Sequence, residues 1–200
     1  IATDGTLAVV ETLKTRQKET DDLQIDYCIV GEPSSMDQLG DVVRIGRRGS
    51  INAQITVEGV QGHVAYPEHV DNPIHGVSRL ITELTTIDWD HHTCNDFPPT
   101  SFQVSNINAG SGVTNIVPQT CTFSCNWRFS PSISGKKIQT KVSDLIDILG
   151  LKTDIKWSIS GEPFITHRGR LTEAVEKVIE RNLGLKPSFS TGVALQMVGS

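Results

Sequence analysis

The stretch CTFSCNWRF at residues 121–129 constrains this chain most: Cys121, Phe123, Cys125, Trp127 and Phe129 are apolar, and Thr122, Ser124, Asn126 and Arg128 between them are polar. Successive side chains of a strand point to opposite faces, so this alternation predicts a strand with one packed and one wet face. Ile51, Ala53, Ile55 and Val57 repeat the pattern against Asn52, Gln54, Thr56 and Glu58. Residues 101–107 form a less regular candidate strand, set off by a turn at Gly110 and Gly112, and Ile155, Trp157 and Ile159 share one face of another. Between them lie two helical periods. Ile74, Val77, Ile81 and Leu84 recur at spacings of three and four, with Asn72 as N-cap and Pro73 at the first helical position. Ile138, Val142, Leu145, Ile146 and Leu149 form the second.

The order over residues 50–159 is therefore strand, helix, strand, strand, helix, strand, the split βαβ arrangement of a ferredoxin-like domain. Both helices should cover one face of a four-stranded antiparallel sheet, leaving the polar face open. The flanks differ. Leu7, Val10 and Leu13 suit a helix, residues 25–30 form a nearly continuous apolar run ending at Gly31, Glu32 and Pro33, and Leu171, Val175, Val178, Ile179 and Leu183 mark a further helix. Continuous apolar strands belong to sheets covered on both faces. The expected architecture is an α/β chain with the ferredoxin-like domain at 49–160 inserted into an α/β domain that contributes residues 1–48 and 161–200.

Charge and composition narrow the function. With 18 basic against 23 acidic side chains and a net charge of −5, the chain lacks the positive field a phosphate backbone rewards, so nucleic acid is not an expected partner. No apolar run approaches the roughly 20 residues needed to span a bilayer, and residues 1–6 lack signal-peptide character. No membrane partner is expected. Cys28, Cys94, Cys121 and Cys125 show no CxxC spacing, and read as small buried hydrophobes suited to a reducing cytoplasm.

Few residues invite chemistry. Glu32 follows the C-terminal end of the apolar run, where open α/β sheets place ligand-binding groups, and a carboxylate is a suitable zinc ligand; a solvated turn glutamate explains it equally well. His63 follows a strand between glycines that permit close approach, where it could donate to a developing oxyanion or be an ordinary loop histidine. His69, His75, His91, His92 and His167 show no metal-ligand spacing. Arg47, Arg48 and Arg128 could each grip a carboxylate with two parallel hydrogen bonds, or be solvated surface charges.

Several stretches together resemble the succinyl-diaminopimelate desuccinylases, within the M20 superfamily of metallo-aminoacylases and carboxypeptidases. They are Gly31-Glu32-Pro33-Ser34-Ser35, Gly40-Asp41-Val42-Val43, Gly46-Arg47-Arg48-Gly49-Ser50, residues 59–67, Asn72-Pro73-Ile74-His75, residues 97–101 and Asn115-Ile116-Val117-Pro118. The Gly-Arg-Arg-Gly-Ser and Gly-His-Val-Ala-Tyr-Pro runs favour this family over its acetylornithine deacetylase and carboxypeptidase relatives. The resemblance implies a homodimer, formed through the ferredoxin-like domain, whose catalytic domain holds two zinc ions per complete subunit, with cobalt as an alternative. It implies hydrolysis of N-succinyl-LL-2,6-diaminopimelate to succinate and LL-diaminopimelate. Glu32 would ligate metal, and His63 would reach the partner's active site to stabilise the tetrahedral intermediate. Arg47, Ser50, Tyr66, Asn115 and Arg128 would hold the substrate.

The sequence departs from that family in places. Thr114 stands where the family often carries a second asparagine. The family's N-terminal His and Asp ligands, its paired glutamates and its late His ligand have no counterparts. Thr191-Gly192 resembles the start of the family's Gly-rich substrate loop, whereas residues 193–200 resemble the helix after it. The chain is thus expected to be an incomplete piece that does not turn over alone. Two alternatives remain, another N-acyl amino-acid deacylase of the superfamily and a ferredoxin-like module that dimerises or binds without catalysis.

Overall fold

A computed structural model describes residues 4–19, 25–91 and 96–192. His92, Cys94 and the reading of residues 193–200 as a helix lie outside them. The chain divides into units Ile1–Pro33 and Ser34–Ser200.

The first unit contains helix α1 (Asp4–Glu19). Residues 25–30, expected as a buried strand, form no strand, and Ile25, Tyr27, Ile29 and Val30 are exposed. Cys28 is exposed as well, which corrects its reading as a buried hydrophobe. A strand apolar on both faces needs neighbours on both sides, and no strand pairs with this segment among the described residues.

The second unit runs in order through β1 (Val42–Arg44), β2 (Gly46–Arg47), β3 (Gly49–Glu58), β4 (Gly62–His63), α2 (Pro73–Thr86), β5 (Ser101–Ala109), β6 (Ile116–Val117) and β7 (Thr120–Phe129). It continues with α3 (Gly135–Ile148), β8 (Lys152–Gly161), β9 (Phe164–Ile165), α4 (Arg170–Leu183) and β10 (Ser188–Ser190). Strands β3, β5, β7 and β8 form the predicted sheet, in the order β5-β7-β3-β8 with every neighbour antiparallel. The central pair is in register from Gly49 opposite Phe129 to Glu58 opposite Thr120. The fold is ferredoxin-like, as the periodicity predicted.

Alternation decides what this sheet buries. Ile51, Ile55, Val57, Phe123, Trp127 and Phe129 lie on one face with Val77, Leu80 and Leu84 of α2 and Ile138, Val142 and Ile146 of α3, all nearly inaccessible to solvent. Burying each large apolar side chain contributes about 1.5–3 kcal/mol. Trp127 anchors an aromatic group, with Phe102 at 4.8 Å, Trp157 at 5.6 Å and Trp89 edge-on at 5.7 Å between ring centroids. Cys121 and Cys125 share this face, and burial pushes the Cys125 thiol up to about 12, so it is an inert packing group. Asn72 caps α2 as predicted, its Oδ1 accepting from the Ile74 N–H at 3.0 Å.

The flanks of the sheet meet each other. β1 pairs in parallel with β10, and β2 pairs antiparallel with β9, so the chain enters and leaves the ferredoxin-like domain side by side. Gly46 and Gly49 permit this junction: a Cβ at Gly46 would lie 2.6 Å from the Phe164 carbonyl oxygen, and one at Gly49 would collide with the Phe129 ring. Nearby, Glu176 of α4 is buried, with Arg168 at 2.7 Å and Lys186 at 3.1 Å. Among the described residues no helix is long and apolar enough to cross a membrane.

Candidate functional site

His63 is presented beyond one end of the sheet. After β3 the chain makes an excursion closed at its base by a two-way backbone bridge between Val60 and Asp71. Within it β4 pairs with β6, placing His63 opposite Ile116, and the Val64 N–H donates to the Asn115 carbonyl at 3.1 Å. The Tyr66 N–H closes a turn onto the His63 carbonyl at 3.0 Å, and the two rings lie 5.9 Å apart. The Asn115 side-chain amide is 3.4 Å from His63 Nε2. Thus His63, Tyr66 and Asn115, separated by up to 52 positions in the chain, form one exposed group on paired backbone.

The other group sits at the opposite end. Ser50 lies directly across from Arg128, which in turn lies across from Ser101. Ser50 Oγ is buried and accepts from the Asn126 side-chain amide at 3.1 Å; the same amide donates to Asn52 Oδ1 at 2.7 Å. Asn126 thereby fixes the surface from which Arg128 projects, a role that alternation alone marked only as a polar position. The Arg47 guanidinium lies over Gly161, where any Cβ would collide with it. Arg48 reaches the Pro99 carbonyl at 3.5 Å, and burial, with a smaller effect of the Arg128 charge, holds its guanidinium below the usual range. Among the described residues Arg47, Arg48 and Arg128 make no ion pair with a carboxylate. This end of the domain is therefore cationic and prepared for anionic oxygen.

Within one chain these groups do not meet. The stretch from Ser50 to Glu58 alone spans about 26 Å at roughly 3.3 Å per residue, and His63 lies beyond Glu58. The guanidinium end and the His63 end of one copy therefore cannot both touch a single small molecule.

Glu32 lies in the first unit, exposed and outside any strand. Zinc takes about four ligands, and the described residues contain no group of three or more His, Cys, Asp or Glu side chains that could hold a metal. The residues described do not by themselves fit a two-zinc centre. Asp41 is no candidate either, because its carboxylate accepts the Met36, Asp37 and Gln38 N–H groups at 2.9, 2.8 and 3.2 Å, bonds that lower its pKa. Buried Asp90 likewise accepts from the Thr100 N–H at 3.0 Å, the Thr100 hydroxyl at 2.5 Å and the Ser130 hydroxyl at 2.9 Å. Its position was not singled out in the sequence, where it sits in an aperiodic stretch.

Residues 45–154 match the peptidase dimerisation domain of the M20 family. The chain is 45% identical over 191 residues to the succinyl-diaminopimelate desuccinylase of Nitrosospira multiformis, covering 96% of this chain and 49% of that protein. It is 44% identical over 190 residues to the enzyme of the same name from Bordetella avium, covering 95% and 49%. The chain spans about half the length of these curated relatives. In three dimensions it resembles a tripeptidase from Staphylococcus aureus, with a TM-score of 0.60 and 17% identity over 76% of this chain and 40% of that one. An aminopeptidase from Bacillus cereus gives a TM-score of 0.59 and 15% identity over 78% and 41%. At these identities the structural likeness speaks for the fold alone.

Proposed function

Since this chain belongs to the M20 peptidase family through the dimerisation domain at residues 45–154, we propose that it is the dimer-forming portion of a succinyl-diaminopimelate desuccinylase. The complete protein would hydrolyse the amide of N-succinyl-LL-2,6-diaminopimelate to succinate and LL-diaminopimelate. The observation that carries this reading is the cationic end of the sheet, where Arg47, Arg48 and Arg128 stand without carboxylate partners among the described residues. A substrate bearing several carboxylates supplies what these guanidiniums lack.

In this reading Arg47, Ser50 and Arg128 hold the carboxylate-bearing ends of the substrate. His63 and Asn115 of the partner subunit donate hydrogen bonds to the carbonyl oxygen as charge develops on it, and Tyr66 packs against the His63 ring. Residues 1–48 and 161–200 belong to the catalytic domain and 49–160 to the inserted one. The protein works as a homodimer in the cytoplasm, where Cys28, Cys121 and Cys125 stay reduced. Zinc, or cobalt in its place, belongs to the complete protein, to which Glu32 contributes one carboxylate.

A substrate panel on the complete, metal-loaded protein tests this. N-succinyl-LL-2,6-diaminopimelate should exceed N-acetyl amino acids of similar size in kcat/KM by roughly ten- to hundred-fold, the worth of one charged hydrogen-bonded contact at about 1.5–3 kcal/mol. Equal turnover of the two classes would exclude the succinyl-specific reading.

A further inference from the structure

His63 carries a local contact to the backbone two residues further along the chain. The Ala65 N–H donates to His63 Nδ1 at 3.1 Å. In a neutral imidazole one ring nitrogen carries the proton and the other the lone pair, and the partner of one nitrogen decides the state of the other. A backbone N–H can only donate, so Nδ1 must present its lone pair and the proton must sit on Nε2. That proton points toward Asn115, whose amide nitrogen Nδ2 is placed 3.4 Å away, two donors facing each other unless the amide is turned over. Amide orientation follows from the network around it. With Nε2 as donor, the Asn115 oxygen must face the imidazole, which turns its NH2 group away with both hydrogens available.

We propose that the Ala65 backbone N–H is a positioning group that holds His63 as its Nε2–H tautomer and, through it, orients the Asn115 amide. Three features carry this beyond a surface histidine's ordinary freedom. The Tyr66 N–H to His63 carbonyl bond closes the turn containing Ala65. The pairing of β4 with β6 fixes His63 opposite Ile116. The Val64 N–H to Asn115 carbonyl bond ties the neighbouring backbones together. The imidazole thus carries its proton on Nε2 before any substrate arrives, held long by the Asn115 oxygen until a more charged acceptor replaces it, so no tautomer exchange precedes the reaction. The catalytic consequence rests on the proposed role of His63, whereas the tautomer does not.

Nitrogen-15 shifts of labelled histidine in the complete protein test both parts, with His63→Ala identifying the signal. The wild type should show a protonated Nε2 and an unprotonated Nδ1. Asn115→Ala should leave that pattern unchanged, because the lock lies in the backbone. Ala65→Pro removes the N–H and should give averaged shifts at both nitrogens. In the same variant kcat should fall about five-fold with KM within about two-fold, the factor one ordinary hydrogen bond contributes to holding a conformation. A wild-type Nδ1–H tautomer, or loss of the Nε2–H pattern in Asn115→Ala, overturns the lock. If Ala65→Pro fails to fold, these two spectra still decide it. Averaged shifts with unchanged kcat overturn the catalytic part, and an unchanged kcat in His63→Ala instead removes the role proposed for His63.

Discussion

At the scale of single residues, charge in this molecule is either paired within the fold or left facing outward, and the two cases behave differently with pH. Glu176 is of the first kind. The hydrogen bond from Arg168, then that from Lys186, hold its carboxyl below the ordinary glutamate range. A carboxylate whose folded pKa is depressed contributes stability that is complete above its unfolded value and is lost as pH falls through the folded one. Glu176→Gln should therefore be less stable than the wild type in denaturant titrations near neutral pH. The gap should close in acid, below the usual glutamate range; a gap constant from neutral pH down to strong acid would show that the two cations do not act on this carboxylate. Arg47, Arg48 and Arg128 are of the second kind, and the residues alone favoured solvated surface charges over carboxylate grips at all three. What the sequence could not show is that no carboxylate among the described residues pairs with them, since that depends on contacts between distant positions. Asp41 illustrates the same limit. Its motif was legible only through resemblance, and its work, capping the 36–38 backbone, is invisible to periodicity.

Elements were legible where they were long enough to show a period. β3 and β7 each carry 10 residues and α2 and α3 each carry 14, and alternation or helical spacing predicted all four, though on α2 the predicted Ile74 is exposed while Leu80, outside the predicted set, is buried. β2, β4, β6 and β9 have 2 residues each, too few for any period, yet β4 carries His63 and β6 starts directly after Asn115. Their pairing arises from the closed excursion at 60–71 rather than from composition. The failure at residues 25–30 is instructive in the opposite sense, since the apolar run predicts a strand only where sheet neighbours exist. Helix α2 allows the two kinds of signal to be weighed. Asn72→Ala removes a cap and should cost about 1 kcal/mol, while Leu80→Ala opens the core and should cost about 2–5 kcal/mol. Urea unfolding of the two variants checks the order; a cap loss equal to or above the core loss would mean that α2 is held by its end rather than by its buried face.

At the scale of the whole molecule, the proposed active site draws on two chains. The sheet places Ser50 and Arg128 at one end and His63 and Asn115 past the other, a separation of about 26 Å or more along the strands. No small substrate bridges that distance within one copy, so in the proposed homodimer the cationic end of one domain would meet the histidine end of its partner, and two-fold symmetry would repeat that meeting twice. Single substitutions at either end should then abolish both sites of a homodimer, but in different halves of each site. Co-expression of His63→Ala and Arg128→Ala forms of the complete protein, followed by isolation of the mixed dimer, tests this directly. In the mixed dimer one site combines both intact groups and the other neither, so activity should return to about half that of the wild-type dimer, and to about a quarter in an unfractionated equal mixture. A mixed dimer that forms and remains as inactive as its parents would show that His63 and Arg128 act within one chain, and would contradict the account.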